Sequence, residues 1–208
     1  MPNASRRAKL ALLLISTAFA LLVGELAFRI AGVSNPNFYG PDPERGWALI
    51  PGSAGLWTKE GRAQVRVDSD GLRGPEIPVA KAAGTYRIAV LGDSCAEALQ
   101  VPEEQTFAKL LERELAECPA IGPPGGHRIE TLNFGVSGYG TAQELLTLRH
   151  RVWKYQPDLV LVAFYAGNDV RNNSRALDQD PLRPYFTLAP GPPGRPRLAL
   201  DASFRDQA

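Results

Sequence analysis

The segment Arg87-Ile-Ala-Val-Leu-Gly-Asp-Ser-Cys95 decides the fold class. It reads as a buried strand that breaks at Gly92 and delivers Ser94 to the strand's carboxyl end, where open α/β sheets place their ligands. A sharp strand-to-helix turn is also how hydrolases expose a nucleophilic hydroxyl. Two later segments end in the same way. Thr131-Leu-Asn-Phe-Gly135 places a glycine after one strand, and Leu161-Val-Ala-Phe-Tyr-Ala-Gly-Asn-Asp169 places Gly-Asn-Asp after another.

Working outward, strands are expected over 86–91, 129–134 and 159–165, the last apolar on both faces as a central parallel strand is. Helices are expected over 106–117, with Phe107, Leu110, Leu111 and Leu115 on one stripe, and over 141–155, with Leu145, Leu148 and Val152 inward. This β-α-β-α-β order implies a doubly wound parallel sheet with right-handed crossovers. Residues 171–174 read as loop, and 185–188 with 198–200 suit a hairpin around Ala189-Pro-Gly-Pro-Pro-Gly194. Ahead of the sheet, 31–84 is a proline- and glycine-punctuated, β-rich lead-in that packs on the main domain. Within it Ala63-Gln-Val-Arg-Val-Asp68 alternates like a half-buried strand. Asp68-Ser-Asp-Gly71 lacks the ligand spacing of a calcium loop and reads as a plain turn.

Bulk properties narrow the function. The 208 residues are 44% hydrophobic and 22% charged, as in a globular protein. A formal net charge of +1 gives no reason to expect nucleic acid as a partner. The two histidines and two cysteines are scattered, so neither a metal nor another cofactor is expected. At the start, Arg6, Arg7 and Lys9 precede an apolar run, which suits a transmembrane signal anchor over 10–30 behind a cytoplasmic basic tip over 1–9. Cleavage after Ala18-Phe-Ala20 and a buried soluble helix are the alternatives.

The blocks Gly92-Asp93-Ser94, Gly135 and Gly167-Asn168-Asp169, in that order, resemble the SGNH (GDSL-type) hydrolase family over roughly residues 86–170. The resemblance implies an α/β, flavodoxin-like core over 85–178, followed by a tail over 179–208. It also implies a serine esterase acting outside the cytoplasm on an ester-bearing substrate, by analogy a cell-envelope glycan or lipid. Ser94 would be the nucleophile. Its own N–H, the Gly135 N–H and the Asn168 side-chain amide would form the oxyanion hole, with Asp93 and Asp169 as supporting braces. The bland counterparts are a helix-capping Ser94, a strand-ending Gly135 and an Asn168-Asp169 turn pair. Cys95 is expected as a small packed residue behind the turn, with a Cys95–Cys118 disulfide as the alternative.

The family's general base is a histidine three residues after an aspartate, near the C-terminus, and nothing after Val170 supplies that pattern. His127 is expected at the opposite end of the sheet from Ser94, and His150 on a solvated helix face. Two explanations compete: a weakly active, truncated enzyme, or a non-catalytic envelope module that binds an acylated ligand in the same cleft. A nucleotide-binding α/β domain is a third reading, opposed by Asp93 where a phosphate would sit.

Overall fold

The computed structural model describes residues 5–30, 36–118, 128–192 and 194–207. His127 and the preceding Pro123-Pro-Gly-Gly126 lie outside the described residues, as do the first four residues of the basic tip. The chain divides into two units, Met1–Pro36 and Asn37–Ala208. The first is a helix, α1 (Arg6–Ile30), with no buried residue. Its most apolar 18-residue window has a mean hydropathy of 2.2. At 1.5 Å per residue its 25 residues reach about 37 Å, against roughly 30 Å of bilayer hydrocarbon. The helix is long and apolar enough to cross a membrane.

In the second unit the lead-in forms two antiparallel hairpins, β1 (Tyr39–Asp42) with β2 (Gly46–Leu49), and β3 (Ala54–Trp57) with β4 (Ala63–Arg66). In β4 the buried residues alternate with exposed ones, as the sequence pattern requires. Phe38, Leu49, Val65 and Val67 pack in one cluster with Leu99, Val136 and Tyr139, so lead-in and core share an interior. Asp68 closes the following turn by accepting from the amides of Asp70 and Leu72.

The core is mixed α/β around a parallel three-stranded sheet, built from β5 (Thr85–Gly92), β6 (Arg128–Asn133) and β7 (Leu159–Ala163) in the order β6-β5-β7. Alternation along β5 fills both faces. Ile88 and Val90 join Ala108 of helix α3 (Phe107–Glu117), whereas Ala89 and Leu91 join Val152 and Tyr155. On α3, Leu115 packs inward as expected and Leu111 is half-buried, but Ala108 takes the buried place in the first turn, while Phe107 and Leu110 are exposed.

Two further expectations are corrected. The strand expected at the centre is β7, and among the described residues it lies at the sheet's edge, paired only with β5; Leu159 and Val162 are 43% and 48% exposed. A continuous apolar run marks a strand as buried on both faces but cannot rank it within the sheet. The helix expected over 141–155 changes pitch twice. It runs as α4 (Thr141–Thr147), then a π-helical turn at Leu148–Val152, then a 3-10 turn at Trp153–Tyr155. This winding buries Val152 and Tyr155 while Arg149 and His150 stay exposed. The tail forms the expected hairpin, β8 (Tyr185–Ala189) with β9 (Arg197–Asp201).

Arg87 ties the sheet to its surroundings. Its side chain is buried, donates to Glu130 Oε2 at 2.7 Å, and reaches the carbonyls of Pro78, Val79 and Tyr155. Removing one member of such a pair strands the other. Arg87→Met should therefore destabilise the full chain in detergent by about 3–5 kcal/mol, read from the urea midpoint. Adding Glu130→Gln should recover part of the loss, because the stranded carboxylate becomes neutral.

Candidate active site

The turn that presents Ser94 begins at Gly92, where a Cβ would lie 2.7 Å from Ala96 Cβ and 3.1 Å from Ala163 Cβ. Only glycine lets helix α2 (Ser94–Glu97) fold back this closely on the strand end. Asp93 is the residue that caps α2, its Oδ1 accepting from the Cys95 N–H at 2.8 Å. Ser94 is therefore not the cap; it is the first helical residue, and it is half-buried. Cys95 is exposed and unpaired, not packed behind the turn, and Cys118 is also free.

Helix α2 ends on Ala98 in the left-handed region, φ 52°. That conformation costs a non-glycine residue roughly 1–2 kcal/mol and persists only when its surroundings hold it. Arg73 of the lead-in does the holding. Its guanidinium donates to the carbonyls of Glu97 at 2.6 Å, Ala98, and Val101 at 2.5 Å.

Asn168 lies just beyond β7 and immediately precedes a short helix, α5 (Asp169–Asn172), where the sequence suggested loop from 171 onward. Its Nδ2 donates to Asp93 Oδ2 at 2.9 Å. That bond crosses the sheet from the loop after β7 to the loop after β5. In an order of β6-β5-β7 the chain reverses direction across the sheet between these two strands, and this is where open sheets carry their crevice. The bond also fixes the amide's orientation, since flipping it would set a carbonyl against a carboxylate. Asp169 turns inward, and its Oδ2 accepts from the Tyr165 N–H at 2.6 Å.

Gly135 has a different place from the one expected. Its N–H donates to Asn133 Oδ1 at 2.9 Å, and Asn133 in turn donates to the Ala96 carbonyl at 2.7 Å. The amide is occupied within the fold and does not face the crevice as a free donor. A Cβ on Gly135 would overlap the Glu97 backbone nitrogen and lie 2.8 Å from the Ala96 carbonyl carbon, so the glycine serves the packing of this segment on α2. The chain then turns at Val136–Tyr139, closed by Tyr139 N–H to the Val136 carbonyl at 3.1 Å. Gly138, with φ +79° and half-buried, occupies the tip, and its amide lies outside that closing bond.

The tip is clamped by groups far away in sequence. Trp47 Nε1 donates to the Ser137 carbonyl at 3.0 Å, and Arg183 donates to the Gly138 carbonyl at 2.7 Å. The Ser137 hydroxyl donates to Glu97, which also accepts from Tyr39 Oη at 2.8 Å. Neither the arginines nor Glu97 stand out in the sequence as site residues. The one cue is the position of Glu97 in the same short helix as Ser94.

Burial pushes the Glu97 carboxyl up to about 7, against the lowering effect of its hydroxyl donors and Arg73. Burial likewise raises Glu144 of α4 to about 7, helped by the charges of Asp169 and Asp93. His150 stands away from this cluster, its Nδ1 3.5 Å from Glu44 Oε1. Among the described residues no group of three or more His, Cys, Asp or Glu side chains is arranged to hold a metal ion.

Both raised glutamates start from an ordinary value of 4.5, so between about pH 4.5 and 7 the folded protein binds more protons than the unfolded chain. Stability therefore falls as pH rises through that window and levels off above it. The Tm of the full chain should drop between these limits. The drop should shrink in Glu97→Gln and Glu144→Gln, which have no carboxyl to ionise. A second outcome concerns packing: Gly135→Ala should destabilise by about 2 kcal/mol or more, as overpacking against backbone does, measured by urea titration.

Set against known proteins, the sequence matches no family model and no curated protein.

Proposed function

We propose that this chain is a serine esterase or acyl hydrolase of the SGNH (GDSL) type. The observation that carries the reading is the Asn168–Asp93 hydrogen bond, which sets a carboxamide beside the Ser94 turn at the carboxyl ends of adjacent strands. The strand order β6-β5-β7 supports it further, being the 2-1-3 beginning of a flavodoxin-like sheet. In this reading Ser94 Oγ attacks an ester carbonyl, the alcohol leaves, and water later releases the acyl group from Ser94. The oxyanion takes hydrogen bonds from the Ser94 N–H and from the Asn168 N–H not used by Asp93. The third comes from the Gly138 N–H, in place of the occupied Gly135 amide.

The proton leaving Ser94 requires a general base. Among the described residues no histidine is hydrogen-bonded to this cluster. Without a base, such a site keeps only the rate that binding and the oxyanion hole supply, roughly 10³–10⁴ over water. Helix α1 would act as a signal anchor, with Arg6 and Arg7 in the cytoplasm and the second unit outside it. The substrate would be an ester-bearing glycan or lipid of the cell envelope.

A fluorophosphonate probe tests the reading on the full chain in detergent. Covalent labelling should occur at Ser94, vanish in Ser94→Ala, and slow by about 10²-fold in Asn168→Ala, the cost of one oxyanion donor. Labelling that Ser94→Ala leaves unchanged would overturn it. An unlabelled native protein would favour the other reading, a module that binds an acylated ligand in this crevice without cleaving it.

A further inference from the structure

The tail hairpin carries an apolar ladder on one face. Its register pairs Phe186 with Leu200 and Leu188 with Leu198, and strand alternation puts all four side chains on the same side of the ribbon. Leu188 is 72% exposed and Leu198 57%. Phe186 and Leu198 also line an open hollow of about 350 Å³ together with Ala142 and Leu145 of α4. Two leucines paired side by side and continuous with such a hollow form one patch, the kind of surface that marks contact with another apolar phase.

The charge around the ladder has one sign. From Pro181 to Leu200 the sequence holds no aspartate or glutamate. Arg195 in the connecting loop and Arg197 at the start of β9 are exposed, and neither has an ion-pair partner among the described residues. Arg149, also exposed, has its guanidinium 5.8 Å from the centre of the Phe186 ring. At the hairpin's foot, Asp201 is already paired with Arg175 at 2.7 Å. Exposed leucines rimmed by unpaired arginines match the boundary of an anionic bilayer, apolar below and phosphate-bearing above. A second copy of the chain would bring the same arginines to the contact, where like charges oppose association.

The chain itself supplies the bilayer. Only residues 31–36 separate the end of α1 from Asn37, where the second unit begins. Fully extended, that connection reaches roughly 25 Å. This is less than the roughly 40 Å diameter of a folded unit of this size. A membrane crossed by α1 is therefore always within reach of the second unit.

We propose that the β8–β9 hairpin is a membrane-docking element. Leu188 and Leu198 enter the headgroup boundary of the bilayer that α1 crosses, and Arg195 and Arg197 meet the phosphates of anionic lipid. The second unit is then held at two points, the tether and the hairpin, and cannot turn freely above the surface. The proposal rests on the signal-anchor reading of α1 and is independent of the hydrolase reading.

The full chain in nanodiscs of phosphatidylcholine and phosphatidylglycerol tests it. Cys95→Ser and Cys118→Ser leave one introduced cysteine to carry an environment-sensitive fluorophore. A label at Leu188→Cys should emit at shorter wavelength than one at Glu104→Cys, which is exposed beside a second acid, Glu103. It alone of the two should be quenched by lipid bearing a nitroxide near the headgroup. A label at Leu22→Cys, within α1, should be quenched by a nitroxide deep in the acyl chains. Arg195→Gln and Arg197→Gln should each weaken the docking equilibrium about fivefold, the worth of one cation beside anionic lipid.

Quenching at Leu22 without quenching at Leu188 would overturn the docking and leave the anchor standing. Quenching at neither site would overturn the anchor reading and, with it, docking on that bilayer. Equal quenching at Glu104 and Leu188 would mean mere nearness to the surface, and the proposal falls. Short-wavelength emission at Leu188 with no quenching by lipid would show that protein covers the ladder, a second copy or another segment, and would overturn the proposal as well.

Discussion

The hydrogen bond from Asn168 Nδ2 to Asp93 Oδ2 is the constraint on which the rest of the crevice depends. A carboxylate acceptor makes such a bond stronger than a neutral pair, and shielding from water increases its worth. Asp93 is 1% exposed and performs two tasks: one oxygen starts helix α2 and the other holds the far loop. The position of the Ser94 turn and the direction of the Asn168 amide are therefore set by one side chain. Without that link, the loops after β5 and β7 would be free to diverge toward the opposite faces of the sheet.

The lead-in and tail perform work that their irregular sequences conceal. Arg73 holds the end of α2, Trp47 and Arg183 hold the Gly138 turn, and Tyr39 reaches Glu97 across 58 positions of chain. Each of these contacts satisfies a carbonyl or carboxyl that the tight turns around Ser94 leave exposed by their own geometry. The crevice is thus built by three strand ends and braced from outside them. This explains why the lead-in shares a hydrophobic cluster with Leu99, Val136 and Tyr139 and does not form a unit of its own.

What the sequence revealed and what it hid follow from the range of the interactions. The Gly92 turn, the alternation in β4 and the β8–β9 hairpin are decided within a few residues, and their patterns were readable, whereas the cap of α2 falls on Asp93, one residue before the serine the sequence offered. The edge position of β7 depends on which strands pair, and a run such as Leu159-Val-Leu-Val-Ala163 is apolar in either place. The job of Gly135 was misread for a related reason. A glycine after a strand signals close approach, but not whether the approaching partner is a substrate or, as here, the backbone of α2. Glu144 was invisible because a glutamate in the first turn of a helix is ordinarily solvated and favoured by the helix dipole. Its burial comes from tertiary packing, which a local pattern does not show.

The charge around the crevice bears on what enters it. Asp93, Asp169, Glu144 and Glu97 all lie in or behind the two loops, while Arg73 is spent on backbone carbonyls and Arg183 on the Gly138 carbonyl, Gln143 and Asp178. A phosphate would meet carboxylates where phosphate sites ordinarily present free amides and a cation, which weighs against a nucleotide ligand. A neutral ester avoids that repulsion on binding and develops charge only as the tetrahedral state forms. At that moment every ionised carboxyl nearby raises the barrier, by an amount that grows as water is excluded. A site of this composition favours an oxyanion only if its acids are neutral or already bonded. Burial raises Glu97 and Glu144 toward the neutral form, while Asp93 is capped by two donors. On the hydrolase reading, the protonation of the two buried glutamates is then part of how a crevice walled by acids tolerates a negative charge at Ser94.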